Sequence, residues 1–394
     1  MKNRKDYYCI FGGGGIRGVA YVGALKALEE ANVNIKGFAG SSVGAIIATL
    51  TAIGYTTDEI KDIVMEVGLG LFSDLNLDIV KGFSFSKGEI FSNWIKELVE
   101  KKFYGSKYNK KNEPVRFKDL DKDLVIMSVN LTDSEFHEFS RYTTPDFEIA
   151  KAVRVSVSMP GLFQPVENGE TLLADGDLMK SWPMWRLTNS LRPDNCRILE
   201  FRLEDMHRNK KIDNLVTYIN AVYNTVTGFA TKFITELYSQ KDKFDYIRLN
   251  TKNVSVVDFT ISKEKKEEMI EIGYQTTKEY FEKILPKKRE KLFKEHYGTY
   301  MMLLDIEHYL KKDNYRKANE VLGELFINLC EYKRTMDVDI YNKIIKFKDI
   351  FKANYTKKQI GFLNFDKTEN KNVIMATFNE VLSIMKEKTE ELKK

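Results

Sequence analysis

Residues 7–18 read YYCIFGGGGIRG, an apolar run followed by four glycines and a short basic turn. The apolar run has the length and residue types of a buried strand, and a helical pattern follows Gly18. The glycines therefore occupy a strand-to-helix turn, where no Cβ obstructs the backbone and the free N–H groups of the helix cluster. Such a turn holds negative charge, either a bound phosphate or an oxyanion that forms during a reaction.

A nucleotide site is one candidate, because Gly13, Gly15 and Gly18 satisfy the pattern G-x-G-x-x-G. A dinucleotide site also requires an acidic residue at the end of the second strand, about 20 residues further on, to bind a ribose hydroxyl. Residues 35–39 read IKGFA and contain no carboxylate, and no Gly-Lys-Ser/Thr follows as in a P-loop. The sequence therefore disfavours a nucleotide site.

The second predicted strand ends in residues 40–44, GSSVG, which match the nucleophile-elbow pattern G-x-S-x-G. In an elbow, a sharp strand-to-helix turn exposes the serine, and small residues such as Gly40 and Gly44 let the turn close. The apolar stretch 45–50 predicts a buried helix, whose N-terminal dipole would favour an alkoxide at Ser42. Ser42 is therefore a candidate nucleophile.

A serine nucleophile needs a base. Asp175-Gly176-Asp177 follows an apolar pair, so Asp175 is expected where a strand gives way to a turn, and it can accept the serine proton directly if it lies within reach. None of the four histidines lies in a strand-end turn with small neighbours: His137, His207, His296 and His308. A Ser-His-Asp esterase that recruits His207, His296 or His308 remains the alternative.

With three motifs in this order, the chain closely resembles the patatin-like phospholipase family. The family's glycine-rich oxyanion signature matches residues 13–18, its nucleophile motif matches residues 40–44, and its Asp-Gly motif matches Asp175 and Gly176. Residues 156–165, SVSMPGLFQP, resemble the family's segment before the aspartate. The resemblance runs from about Tyr7 to about Leu285.

The resemblance implies a catalytic dyad of Ser42 and Asp175 without histidine. It further implies an oxyanion hole in the glycine loop, with the N–H groups of Gly14 and Gly15 as donors and Arg17 as support. The loop positions matched are Gly13, Gly14, Gly15, Arg17 and Gly18. The implied reaction is phospholipase A-type hydrolysis of a membrane lipid at the bilayer surface, with no cofactor and no metal ion.

The sequence departs from the family pattern beside Asp175, the implied base. The family usually has Gly or Ala where this chain has Asp177. A second carboxylate beside Asp175 would raise the pKa of the base by like-charge repulsion, unless Lys180 or Arg17 offsets it. We therefore expect a shift in pH optimum or in substrate, with both catalytic residues retained.

The chain as a whole predicts an α/β domain over residues 1–285, with a mainly parallel sheet flanked by helices, and an all-helical extension over residues 286–394. Strands are predicted at 124–131, 197–203 and 244–249, and a capped helix is predicted to begin at Thr56.

In the extension, two apolar stripes have helical spacing. The first stripe is Ala318, Val321, Leu322, Leu325, Phe326 and Leu329. The second is Ile374, Phe378, Val381, Leu382 and Met385. We expect them to form core, the alternative being a surface for a partner.

Charge and composition limit the partners. Residues 286–394 contain 23 Lys and Arg against 17 Asp and Glu, whereas the preceding 285 residues are nearly neutral. The basic excess suits an anionic membrane, and no nucleic-acid-binding motif accompanies it.

The longest apolar run, near 45–53, is too short to cross a bilayer. Three scattered cysteines and the lack of a signal-peptide core favour a cytoplasmic protein with peripheral membrane contact. Export by a route without a signal peptide stays open.

The extension also raises a regulatory hypothesis. Patatin-like enzymes with helical extensions include effectors of bacterial antiviral defence and secreted toxins, and the resemblance implies a gated effector. The gate would act through a homo-oligomer or through a small-molecule or protein activator bound by residues 286–394. The other class of function left open is a catalytically latent binding or regulatory module on the same scaffold.

Overall fold

The computed structural model describes residues 6–74, 84–179, 196–204, 242–251, 254–332, 335–359 and 367–393, with a few isolated positions between 212 and 233. The chain divides into two compact units, the first within Met1–Glu236 and Lys243–Glu282 and the second within Leu237–Asp242 and Lys283–Lys394. The first contains a mixed, mostly parallel sheet flanked by helices, and the second is built from helices. The predicted fold class is confirmed.

The described strands all lie in the first unit. In chain order they are β1 (Asp6–Phe11), β2 (Asn34–Ser41), β3 (Ser84–Ser86), β4 (Asp123–Asn130), β5 (Glu135–Ser140), β6 (Gly161–Phe163), β7 (Val166–Asn168), β8 (Thr171–Asp175), β9 (Arg197–Glu204) and β10 (Phe244–Asn250). The main sheet has the order β10-β9-β1-β2-β4-β8-β7, with β5 also paired to β4, and β3 pairs with β6. The three strands predicted from the sequence are confirmed to within one residue at each end.

The strands from β10 to β4 form a parallel half-sheet. Their central residues are apolar and almost fully buried, as in Ile10, Phe38 and Leu199. Parallel strands covered by helices on both faces show such continuous apolar sequences. The half-sheet thereby fixes the carboxyl ends of β1 and β2, where the glycine loop and the serine turn begin.

Two strands share one edge of β4 and run toward each other. β2 pairs in parallel with residues 123–127, and β8 pairs antiparallel with residues 128–130. Because β5 covers residues 125–130 along the other edge of β4, β2 and β8 lie on the same edge. Their carboxyl ends therefore meet head to head, with Ser41 opposite Met127 and Asp175 opposite Ser128.

Helices of the first unit surround this sheet. Those in the described part of the chain are α1 (Ala20–Glu30), α2 (Val43–Ile53), α3 (Thr57–Glu66), α4 (Glu89–Tyr104), α5 (Ile149–Ser156) and α6 (Lys263–Glu279). The predicted cap of α3 is confirmed: the Thr56 side chain accepts the Glu59 N–H at 3.2 Å, and the Glu59 carboxylate accepts the Thr56 N–H at 2.7 Å. Such a capping box satisfies two N–H groups that a helix start otherwise leaves unbonded.

The second unit buries its own apolar core. Its helices are α7 (Leu285–Lys311), α8 (Tyr315–Tyr332), α9 (Val338–Gln359) and α10 (Lys367–Lys393). The two predicted stripes lie on α8 and α10, and both join one buried cluster with residues of α7 and α9. Leu325 and Phe378, for example, are fully buried. Both stripes are therefore core, and the alternative that one is an exposed surface for a partner is wrong.

Candidate active site

Ser42 lies at the turn between β2 and α2. Its backbone has φ 53° and ψ −128°, a conformation that is strained for any residue with a Cβ and is characteristic of functional turns. The Ser42 N–H donates to Ser156 Oγ at 3.0 Å, and the Ser156 hydroxyl donates in turn to the Met127 carbonyl at 2.6 Å. The turn is thus tied to the end of α5 and to β4.

Gly40 and Gly44 allow this turn to close. A Cβ on Gly40 would lie 2.2 Å from the Gly44 carbonyl oxygen, and a Cβ on Gly44 would lie 2.0 Å from the Phe11 carbonyl oxygen. Real Cβ atoms do not approach backbone oxygens so closely, so a side chain at either position forces the backbone to move. The second contact also places the serine turn directly against the end of β1, where the glycine loop starts.

The glycine loop connects β1 to α1 through a 3-10 turn over Gly15–Val19. The backbone φ is +154° at Gly14 and +56° at Gly15, which only glycine adopts without strain. Within the described part of the chain, the N–H groups of these two residues donate no hydrogen bond. Gly18 packs against Val43, the residue after Ser42, since a Cβ on Gly18 would lie 2.2 Å from Val43 Cγ2. Two free amides therefore lie in the loop that borders the serine turn.

Arg17 supports the loop from inside the protein. It is only 7% exposed, and its Nε donates to the Val254 carbonyl at 2.6 Å. A second tie between the same segments comes from the Ile16 N–H, which donates to the Val256 carbonyl at 3.1 Å. The guanidinium thus anchors the loop to the segment that follows β10.

Asp175 is the last residue of β8 and is 3% exposed. Its N–H donates to the Ser158 carbonyl at 3.1 Å, and its Oδ1 accepts the Asp177 N–H at 2.7 Å. Its Oδ2 makes no hydrogen bond of ordinary geometry among the described residues. Gly176 lets the turn pass close to the serine strand, since a Cβ there would lie 3.1 Å from Ser41 Cβ.

The environment of Asp175 makes it a stronger base than an exposed carboxylate. Burial and, next, the negative charge of Asp177 raise its pKa to about 7. Hydrogen bonding from the Asp177 N–H and from the Ser42 hydroxyl acts in the opposite direction and lowers the pKa. The Ser42 hydroxyl is therefore near Asp175, although the contact is looser than a full hydrogen bond. Such contacts are often long in enzymes without substrate.

A cation that was not expected lies near Asp177. Arg202 Nη1 lies 3.9 Å from Asp177 Oδ1, and the Arg202 guanidinium also pairs with Glu200. Arg17 Nε binds the Val254 carbonyl, and Lys180, the other cation expected to offset the charge of Asp177, lies outside the described residues. The carboxylate of Asp177 also accepts the Gly13 N–H at 3.1 Å. Gly13 is therefore bound to the Asp-Gly turn, whereas the Gly14 and Gly15 amides are not.

Several residues of this arrangement were missed by sequence reasoning. Ser156 lies inside the segment 156–165 that carries the family resemblance, so its position was signalled but its contact with Ser42 was not. Arg202 and Glu200 alternate with buried Phe201 on β9. Two charged residues on either side of an apolar residue within a predicted strand are a sequence signal for such a pair, because charges that become buried are normally paired.

The histidines lie elsewhere. His137 is on β5 opposite Ser128, and burial lowers its pKa. His296 and His308 are on α7 in the helical unit, where the ring Nδ1 of buried His296 lies 2.8 Å from the Leu292 carbonyl oxygen. His207 lies outside the described residues. Among the described residues, no histidine forms a hydrogen bond with Ser42 or Asp175.

Comparison with known proteins places the chain in a family. A family model described as patatin-like phospholipase matches residues 9–184. The protein YqhO of Bacillus subtilis is 30% identical over 291 residues, which cover 68% of this chain and 95% of YqhO. The probable lipid hydrolase 463L of Invertebrate iridescent virus 6 is 30% identical over 186 residues, or 46% of this chain and 63% of that protein. VipD from Legionella pneumophila aligns with a TM-score of 0.47 at 16% identity, over 96% of this chain and 88% of VipD.

The chain belongs to the patatin-like phospholipase family, and it is a hydrolase of that family. No helix in the described part of the chain combines the length and the apolar character needed to cross a membrane.

Proposed function

We propose that this protein hydrolyses acyl esters of membrane phospholipids, with Ser42 as nucleophile and Asp175 as base. The observation that carries the proposal is the head-to-head meeting of β2 and β8 beside β4, which brings the Ser42 turn and the Asp175 turn together. The glycine loop borders the same turn, and its Gly14 and Gly15 amides donate no hydrogen bond to any described residue. The substrate class follows from the family and from a relative named as a probable lipid hydrolase.

The mechanism uses residues of this chain throughout. Asp175 accepts the Ser42 proton as Ser42 Oγ attacks the ester carbonyl, and the oxyanion is stabilised by the N–H groups of Gly14 and Gly15. The intermediate collapses to an acyl-enzyme, and the leaving alcohol takes the proton from Asp175. Water then loses a proton to Asp175 and attacks the acyl group. As the bond between the acyl carbon and Ser42 Oγ breaks, Asp175 returns the proton to Ser42 and the fatty acid is released. One oxyanion donor typically lowers the barrier by about 3–4 kcal/mol.

The test is hydrolysis of vesicles that carry phospholipids with a fluorogenic acyl chain at either glycerol position. Ser42→Ala should lower the rate by at least about 10³-fold, as is usual for loss of a covalent nucleophile. Ser41→Ala is the matched control, because it removes a hydroxyl from the same turn. A fluorophosphonate probe, which reacts with activated serines, should label the wild type and not Ser42→Ala.

Other outcomes identify the alternatives. Undiminished hydrolysis by Ser42→Ala refutes the proposal. A loss of activity in the Ala variant of His207, His296 or His308 that equals the loss in Asp175→Ala identifies a Ser-His-Asp esterase. A wild type that binds vesicles without hydrolysis or labelling identifies a latent binding module.

We also propose that the basic helical extension gates this activity. The extension carries the positive excess of the chain, which suits an acidic membrane or an acidic activator. A chain ending at residue 285 should therefore differ from the full chain in vesicle hydrolysis, in assembly state, or in response to an activator. Identical behaviour in all three respects shows that residues 286–394 are not a gate.

A further inference from the structure

Asp177 connects the glycine loop to the base. Its Oδ1 accepts the Gly13 N–H at 3.1 Å, and its own N–H donates to Asp175 Oδ1 at 2.7 Å. The two groups it joins are 162 positions apart in the sequence, and each belongs to a different part of the proposed mechanism. A single residue outside the dyad therefore links the oxyanion loop with the proton acceptor.

The contact with Gly13 is close. A Cβ on Gly13 would lie 2.5 Å from Asp177 Cγ and 2.6 Å from Asp177 Cβ, so the carboxylate packs directly on the loop backbone. This fit needs both residues: a glycine at 13 to leave the space, and a short acidic side chain at 177 to fill it. Gly or Ala, which the family usually has at this position, carries no side-chain acceptor for the Gly13 amide.

The carboxylate is itself held in place. Arg202, which is 8% exposed, approaches Asp177 Oδ1 to 3.9 Å and is fixed by its pairing with Glu200 on the same strand. The stem of Arg202 also lies under the loop, since a Cβ on Gly12 would be 3.1 Å from Arg202 Cδ. From the other side, the Tyr21 hydroxyl of α1 donates to the Gly12 carbonyl at 2.7 Å.

We propose that Asp177 is a positioning residue of the hydrolase: its carboxylate fastens the glycine loop to the turn that carries Asp175, and so keeps the Gly14 and Gly15 amides in place relative to Ser42. This inference rests on the proposed function. A loop of four glycines has little stiffness of its own, because glycine restricts the backbone least. Oxyanion donors act only when they are held in position before the reaction, so the loop needs an external tie.

The charge of Asp177 has a second, separable effect. It raises the pKa of Asp175, whereas its hydrogen bond to Gly13 needs only an acceptor oxygen. In the described part of the chain, Asp177 interacts electrostatically with Asp175 on β8, Arg202 on β9 and Tyr21 on α1. Glu200 on β9 and Tyr246 on β10 in turn face Arg202 and Tyr21. Asp177→Asn removes the charge and keeps the acceptor, and Asp177→Ala removes both.

The experiment measures kcat and KM for a soluble fluorogenic acyl ester from pH 5 to 9, with wild type, Asp177→Ala and Asp177→Asn. Asp177→Ala should lower kcat by at least about tenfold at its optimum pH, below the roughly 10²–10³-fold effect of losing one donor outright, with KM within twofold. Asp177→Asn should recover most of that loss. In both variants the acidic limb of the profile should move to lower pH, because the pKa of Asp175 falls. Glu170→Gln, an exposed change on the β7–β8 turn, is the matched control.

Either of two results overturns the inference while the proposed function stands. One is a kcat of Asp177→Ala within twofold of wild type, and the other is an Asp177→Asn variant as slow as Asp177→Ala. If Asp177→Ala does not fold, Asp177→Gly, one of the two residues that the family usually has here, removes the acceptor in its place, and a kcat within twofold of wild type then overturns the inference. Failure of the proposed function is recognised separately, because the wild type then neither hydrolyses the ester nor reacts with the fluorophosphonate probe, and both proposals fall.

Discussion

Replacing Asp175 by Asn should stabilise the folded first unit at pH 8, although it removes the proposed base. Asp175 is almost fully buried, and burial together with the charge of Asp177 raises its pKa to about 7. A carboxyl group with a raised pKa is ionised in the folded state only at a cost in stability. Asn keeps the shape and an acceptor for the Asp177 N–H, and it carries no charge at any pH.

The sign and size of the effect follow from linkage. In the unfolded chain the pKa of an aspartate is about 3.9, so below about pH 4 the group is protonated in both states. Between about pH 4 and pH 7 the folded state keeps a proton that the unfolded state releases, and stability falls as the pH rises. Above about pH 7 the full cost is present, on the order of 4 kcal/mol for a pKa raised from 3.8 to about 7. The advantage of Asp175→Asn should therefore be about 2.5 kcal/mol larger at pH 8 than at pH 5.

The assay is urea unfolding followed by tryptophan fluorescence. All three tryptophans, Trp94, Trp182 and Trp185, lie within the first unit, so the signal reports on that unit. Asp121→Asn, at an exposed position before β4, is the control for the substitution itself. The reasoning is refuted if the difference between Asp175→Asn and wild type is the same at both pH values, or if Asp175→Asn is the less stable protein at pH 8.

Three further predictions concern packing and positioning. Gly44→Ala places a Cβ 2.0 Å from the Phe11 carbonyl oxygen and should lower the free energy of unfolding of the first unit by at least about 1–3 kcal/mol, measured by tryptophan fluorescence. Ser156→Ala leaves the Ser42 N–H without its acceptor, which should cost about 1–3 kcal/mol in unfolding and also lower kcat, measured with the fluorogenic ester. Leu325→Ala empties a fully buried site in the helical unit and should cost about 2–5 kcal/mol in unfolding of that unit, measured by far-ultraviolet circular dichroism.

Each of these predictions has a control and a contradicting outcome. Gly70→Ala adds a Cβ where no atom lies within 4 Å, so a Gly44→Ala protein as stable as Gly70→Ala contradicts the packing argument. An unchanged kcat in Ser156→Ala shows that the Ser42 turn does not depend on that hydrogen bond. Ile327 is 67% exposed on the same helix as Leu325, so equal effects of the two Ala variants contradict the assignment of the core.

The three site motifs could be located from the sequence because each is fixed by local backbone geometry. The turn at Ser42 needs small residues on either side, the loop at Gly14 and Gly15 needs a positive φ, and the turn at Asp175 needs a glycine after it. These requirements act over a few residues and leave a clear trace in the sequence. The apolar stripe around Leu325 is equally local, since helical spacing alone predicts it.

The direction of β8 and the cation beside Asp177 could not be predicted, because both depend on contacts between distant parts of the chain. The antiparallel approach of β8 to β4 cannot be read from either strand, because strand direction and register are set by the pairing itself. Lys180 and Arg17 were the cations expected to offset the charge of Asp177, whereas Arg202, which lies 3.9 Å from it, comes from β9, outside the motifs. The sequence indicated that a cation would offset the charge of Asp177, but it did not indicate that Arg202 would lie beside it.

The placement of Asp175, the proposed base, on β8 has a consequence for how the protein loses activity. β8 pairs with β4 through three residues and with β7 through three, whereas β2, which precedes the proposed nucleophile Ser42, pairs with β1 and β4 over longer stretches. Short ladders open at a lower free energy than the centre of a sheet. Transient opening of the β7–β8 hairpin therefore withdraws Asp175 while the parallel half-sheet stays folded. Inactivation by mild denaturant should precede global unfolding, and amide hydrogen exchange at Leu173 should be faster than at Ile10.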